Sequence, residues 1–252
     1  MSFARSAVLG LCLLLAGAGS AFAVDQKVYA LPFAKKMQLA KAGDAEAKMA
    51  VAEAFEQGQG TKLSAVDAAK WYREAALSGN MEAQFRLAKL VSKGATGLKS
   101  DKPTAYKLYL AAAQKGHAPS QNEVGLMLQN GVGVPKDEKG AVEWYRKAAD
   151  QGLATAQNNL GVMLLNAQGA ERNVEEAFKF FTQAAEKNDV WGLNNLGAMY
   201  QKGWGTPIDL DKAKLNFKKA ADLGNETAKA NLAKLEGTAV PTATVPADAP
   251  KP

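Results

Sequence analysis

The chain has 252 residues, with 31 Lys and Arg against 25 Asp and Glu, one histidine and one cysteine. A net charge of +6 scattered along the sequence, with no dense basic run interleaved with aromatics, argues against nucleic acid as a partner. A single histidine excludes a paired-histidine metal site, and a single cysteine excludes a disulfide within the chain.

Residues 1–23 read as a secretory signal peptide. Arg5 is the positive head, an apolar run extends from Ala7 to Ala16, and Ala21, Phe22 and Ala23 form a small-x-small cleavage pattern. The run falls short of the roughly 20 residues that span a bilayer. Cys12 comes after Leu11 rather than after the small residue of a bacterial lipoprotein signal, so cleavage without lipidation is expected. Cleavage removes Arg5 and Cys12 and leaves a chain of about +5 that core packing alone must hold together. No other stretch is apolar enough to span a membrane. Residues 24–42 read as a lone N-terminal capping helix.

From residue 43 a repeat dominates. A glycine, or once an asparagine, recurs at Gly43, Gly79, Gly116, Gly152, Asn188 and Gly224, at spacings of 36 or 37 residues. Paired alanines precede the last five markers (Ala75-Ala76, Ala112-Ala113, Ala148-Ala149, Ala184-Ala185, Ala220-Ala221). Each unit reads as two helices. Asp44, Asn80, Asp189 and Asn225 are N-caps of the first. Its apolar face recurs with helical period, as Leu160, Met163 and Leu164 or as Leu196, Met199 and Tyr200. Glycine-paired turns at Gly58, Gly131 and Gly203 end it. Ser64, Asp101, Asp137, Asn173 and Asp209 cap the second helix, each contributing about 1 kcal/mol over alanine. That helix carries a bulky pair, such as Trp71-Tyr72, Trp144-Tyr145 or Phe180-Phe181, whose recurrence in every unit marks it as core. Small residues at Ala52, Ala88, Gly125, Gly161, Gly197 and Ala233 are expected where the two helices touch. Residues 237–252, rich in Pro, Ala and Thr, read as a disordered tail.

The stretches AQNNLGVMLLNAQG with EEAFKFFTQAAEKN, and GVGVPKDEKGAVEWYRKAADQG, resemble the Sel1-like repeat, a relative of the tetratricopeptide repeat. The resemblance covers residues 43–236 as five and a half units. It implies an all-α fold, a right-handed superhelical α/α solenoid of helix pairs in which each unit touches only its neighbours. The second unit departs most, with Val91 at an aromatic position and one extra loop residue in KGATGLKSD.

The resemblance also implies that the first helix of each pair lines the inner wall. Helical geometry then puts asparagines on the groove side: Asn122, Asn158 and Asn194 in one row, and Glu123, Asn159, Asn195 and Asn231 in the next, with Trp191 a turn earlier. An asparagine offers a donor and an acceptor together, matching the N–H and C=O of an extended peptide. Two roles stay open for this ladder: gripping a peptide or flexible protein segment, or tying one unit to the next.

The inventory for catalysis is thin. His117 stands directly after Gly116, where other units carry Asp or Asn, and reads as a surface helix cap. GVGVPK lacks the spacing of a phosphate-binding loop. Glu175 and Glu176 are adjacent and point apart. No catalytic residue, metal or cofactor is expected. The expected function is a monomeric periplasmic scaffold or adaptor for a protein or peptide partner, with envelope signalling or assembly as its setting. The alternative is a factor that binds or processes envelope glycan.

Overall fold

The structure, a computed structural model, describes residues 26–237; the signal peptide and all of the tail but Gly237 lie outside them. Thirteen helices run in order among the described residues: α1 (Gln26–Tyr29), α2 (Phe33–Lys41), α3 (Ala45–Gln57), α4 (Ala65–Leu77), α5 (Met81–Lys93), α6 (Lys102–Gln114), α7 (Ala118–Asn130), α8 (Glu138–Asp150), α9 (Ala154–Leu165), α10 (Val174–Glu186), α11 (Val190–Lys202), α12 (Leu210–Asp222) and α13 (Glu226–Leu235). Each of α2 to α13 packs on its neighbours in the sequence, so the chain is an α/α solenoid. The stretch expected as one capping helix is two. Pro32 precedes α2, and a residue before proline is pushed out of the helical region, which separates α1 from α2. Phe33, Met37 and Leu39 then pack with Val51 and close the first unit.

Local chemistry explains the regularity. The side chains of Ser64, Asp101, Asp137, Asn173 and Asp209 each accept an N–H three residues on, capping α4, α6, α8, α10 and α12. The marker residues lie just beyond the ends of the second helices with positive φ. Asn188, at φ 59°, takes that left-handed conformation in place of glycine, which asparagine does more readily than other residues. The second residue of every bulky pair (Tyr72, Tyr109, Tyr145, Phe181, Phe217) is buried in a core that runs continuously through the units. The extra residue of the second unit is absorbed in a tight turn, where Ala95 and Leu98 exchange backbone hydrogen bonds of 2.8 Å.

Candidate functional site

The asparagines sit near the middle of α7, α9, α11 and α13 and meet across units. Asn159 donates to Asn122 Oδ1 at 3.0 Å, Asn195 to Asn158 Oδ1 at 2.8 Å, and Asn231 to Asn194 Oδ1 at 3.0 Å. Longer contacts of 3.5 and 3.4 Å complete the chain, from Asn158 to Asn159 and from Asn194 to Asn195. All five bonds run in one direction, from Asn231 towards the N-terminus. The last amide, Asn122, hydrogen-bonds the carboxylate of Glu123. Burial pushes the Glu123 carboxyl up, against the pull of the Lys89 ammonium and of that amide. Amides linked head to tail polarise one another, and inside a protein each bond is stronger than in water. An asparagine in a helix costs roughly 0.5 kcal/mol in propensity. Leaving a buried amide partner unpaired costs about 1–3 kcal/mol, so the cross-unit bonds outweigh the propensity.

The two rows differ in access. Asn122, Asn158 and Asn194 are 9, 8 and 7% exposed, which places them between helices. Asn159, Asn195, Asn231 and Glu123 are half-buried. Consecutive first helices come close enough for two short asparagines to bridge them, and α9 packs directly on α11. By contrast, the link between α8 and α10 takes an arginine and a glutamate, Arg146 and Glu176. The first helices therefore take the shorter, inner track. Each half-buried asparagine spends one N–H on the preceding unit, which leaves its second N–H and a carbonyl lone pair. Trp191, in the first turn of α11, is 58% exposed.

Sequence reasoning missed a charged cluster on α3, α5 and α7. Arg86 faces Glu82 at 2.6 Å, Glu53 at 3.8 Å and Glu56 at 3.9 Å. His117 is not the surface cap expected of it. It occupies the N-cap position of α7 but makes no capping bond. Its Nδ1 meets Ser120 Oγ at 2.8 Å and its Nε2 meets Glu82 at 3.3 Å, with the ring edge against Phe85. Serine, histidine and carboxylate in a row suggest a nucleophile, but Ser120 is fully buried and presents nothing to a substrate. The three groups tie the second unit to the third. Two buried glutamines act similarly: Gln121 and Gln157 donate to the carbonyls of Ala113 and Ala149 on the preceding helices. The recurrence of Gln five residues past three markers, at Gln84, Gln121 and Gln157, is the signal that could have revealed them.

The cluster has a pH signature. The hydrogen bond from His117, then those from Arg86, hold the Glu82 carboxyl at about 2 against an ordinary value of 4.5, with burial opposing them. A carboxyl depressed in the folded state stabilises above its unfolded value and loses that contribution as pH falls through its folded value. Melting temperature should thus decline between about pH 4.5 and 2, and Glu82→Gln should flatten this part of the profile. Thermal melts of both proteins across that window check it; parallel curves would refute the assignment.

Among the described residues no group of three or more His, Cys, Asp or Glu is placed to hold a metal ion, and no helix is long and apolar enough to cross a membrane. The Sel1 repeat model matches the chain five times, at residues 43–80, 82–117, 118–153, 154–189 and 192–225. Among solved structures, the chain resembles c5321, a protective antigen of uropathogenic Escherichia coli strains that displays an SLR fold, with TM-score 0.77 and 30% identity over 81% of this chain. The match spans 44% of that antigen's length. It also resembles a Sel1 repeat protein from Oxalobacter formigenes, with TM-score 0.72 and 28% identity over 81% of this chain and 87% of the other. No curated protein matches it.

Proposed function

We propose, for a chain that belongs to the Sel1 repeat family, a role as a periplasmic interaction scaffold that holds an extended segment of a partner protein along its inner face. Sel1-repeat proteins generally mediate protein–protein contacts, and the signal-like residues 1–23 support export. The observation that carries the reading is the half-buried row Asn159, Asn195 and Asn231. Its members recur once per unit on the inner track, and each retains one donor and one acceptor after its bond to the preceding unit. An extended backbone presents the complementary pair at every residue, so the grip is largely indifferent to side chains. Glu123 at one end and Trp191 at the rim supply preference. The scaffold acts as a monomer without a cofactor, in envelope signalling or assembly.

The test keeps the buried row and removes the accessible one. Alanine at Asn159, Asn195 and Asn231 together should abolish capture of partner proteins from envelope extract, at a temperature where circular dichroism shows the variant folded. Undiminished capture by the folded variant would sink the proposal.

The exposed indole of Trp191 favours a second reading, in which the same face binds envelope glycan by stacking a sugar ring. Binding on a glycan array that Trp191→Ala eliminates, with no protein captured, would select it.

A further inference from the structure

The junction of the first and second units differs from that of the third and fourth at positions that the fold brings together. Where α4, α5 and α6 meet, a mainly apolar cavity of about 200 Å³ is lined by Arg73, Leu77, Leu87, Val91, Thr104 and Leu108 among others. Two units further on, side chains of the chain meet across the equivalent junction. Arg146 occupies the position in its unit that Arg73 holds in its own. Its guanidinium binds the Glu176 carboxylate at 2.5 Å and stands 5.9 Å from the centre of the Phe180 ring. Counted from the markers, Glu176 and Phe180 correspond to Thr104 and Leu108. Val91 likewise stands where other units have Phe55, Leu128, Leu164 and Tyr200. At the junction of the first and second units the arginine therefore stands without the carboxylate and the ring that meet Arg146, and Val91 fills less of the space beneath. Among the described residues no carboxylate lies within 4.0 Å of Arg73. Leu77, at the cavity wall, is 78% exposed, whereas the corresponding residues elsewhere are Gln114, Asp150, Glu186 and Asp222.

We propose that this cavity docks the C-terminal aromatic residue of a protein partner, its ring filling the space and its terminal carboxylate bound to Arg73. A cavity this size is smaller than the roughly 300–1,000 Å³ that encloses a drug-sized ligand, so it takes one side chain. A C-terminal Phe carries both missing groups on one residue. A guanidinium can pair with a carboxylate and lie over an aromatic ring at once, and Arg146 makes both contacts within the chain, through one nitrogen to Glu176 and over the Phe180 ring. α4 and α6 carry no member of the amide ladder, so this site stands or falls independently of the groove.

The test titrates acetyl-Gly-Ala-Phe with a free terminal carboxylate, and the same peptide as its C-terminal amide, into the protein while methyl NMR signals are monitored. Saturable shifts at Val91 and Leu108 are expected with the free acid, and binding about tenfold weaker with the amide. Arg73→Gln should make the two peptides equal. Thr104→Glu with Leu108→Phe installs the pair that the fourth unit already accepts. This change should raise the melting temperature and abolish binding. Absence of saturable shifts in the wild type overturns the proposal. So does unchanged binding by the folded double variant, or a free-acid preference that survives Arg73→Gln; the last arm decides the matter if the double variant does not fold.

Discussion

Gly161→Leu is expected to destabilise the array more than any single change on its surface. A Cβ at this position would lie 2.7 Å from Phe181 Cε1 and 3.0 Å from its Cδ1 and Cζ, and that ring is fully buried. The same closeness recurs at Gly125 against Tyr145 and at Gly197 against Phe217, each at 2.8 Å. Overpacking of this kind costs about 1–3 kcal/mol, and a domain of this size loses roughly 2–4 °C per kcal/mol. A fall of several degrees to about 12 °C should therefore appear by calorimetry. Gly161→Ala sets two effects against each other. Alanine gains about 1 kcal/mol of helix propensity over glycine, while its methyl group would lie 2.7 Å from Cε1 of a fully buried ring. The contact should win and the melting temperature should fall. A rise would mean that Phe181 shifts at little cost.

The second large effect is expected in the ladder. Asn158→Ala removes the acceptor of the 2.8 Å bond from Asn195 and leaves that N–H against a methyl group, at a cost of about 1–3 kcal/mol. Asn195→Ala removes the same bond from the other side. The double variant should therefore lose less stability than the sum of the two single changes. Urea denaturation of all four proteins measures the coupling. Strict additivity would show that the cross-unit bond contributes nothing to folding.

Much of this architecture is legible in the sequence because it is local. The markers, the Ser, Asp and Asn caps, the glycine turns and the small residues opposite the aromatic pairs each act within a few residues of themselves or recur with the unit, so periodicity alone exposes them. The asparagines are visible as a pattern, but their pairing is not. Asn122 meets Asn159, and Asn158 meets Asn195, each 37 residues apart, so one row bonds to the adjacent row of the next unit. That offset arises from how helix pairs nest, which no linear spacing encodes. His117 misleads because its place after Gly116 obeys the capping rule. Its partner Glu82, however, lies a full unit earlier, and only the stacking brings them together. The break between α1 and α2 is different, since Pro32 alone is enough to signal it.

The one-way run of side-chain bonds from Asn231 to Glu123 has an evolutionary consequence. A tandem copy of the fourth unit would bring both a new Asn158 oxygen and a new Asn159 nitrogen, so it would splice into the run with every junction satisfied. Ahead of Glu123 the corresponding places hold Ala50 and Arg86, which have no amide with which to continue it. Duplication can thus lengthen the molecule in its C-terminal half one hairpin at a time, while its N-terminal start stays anchored on a single acid.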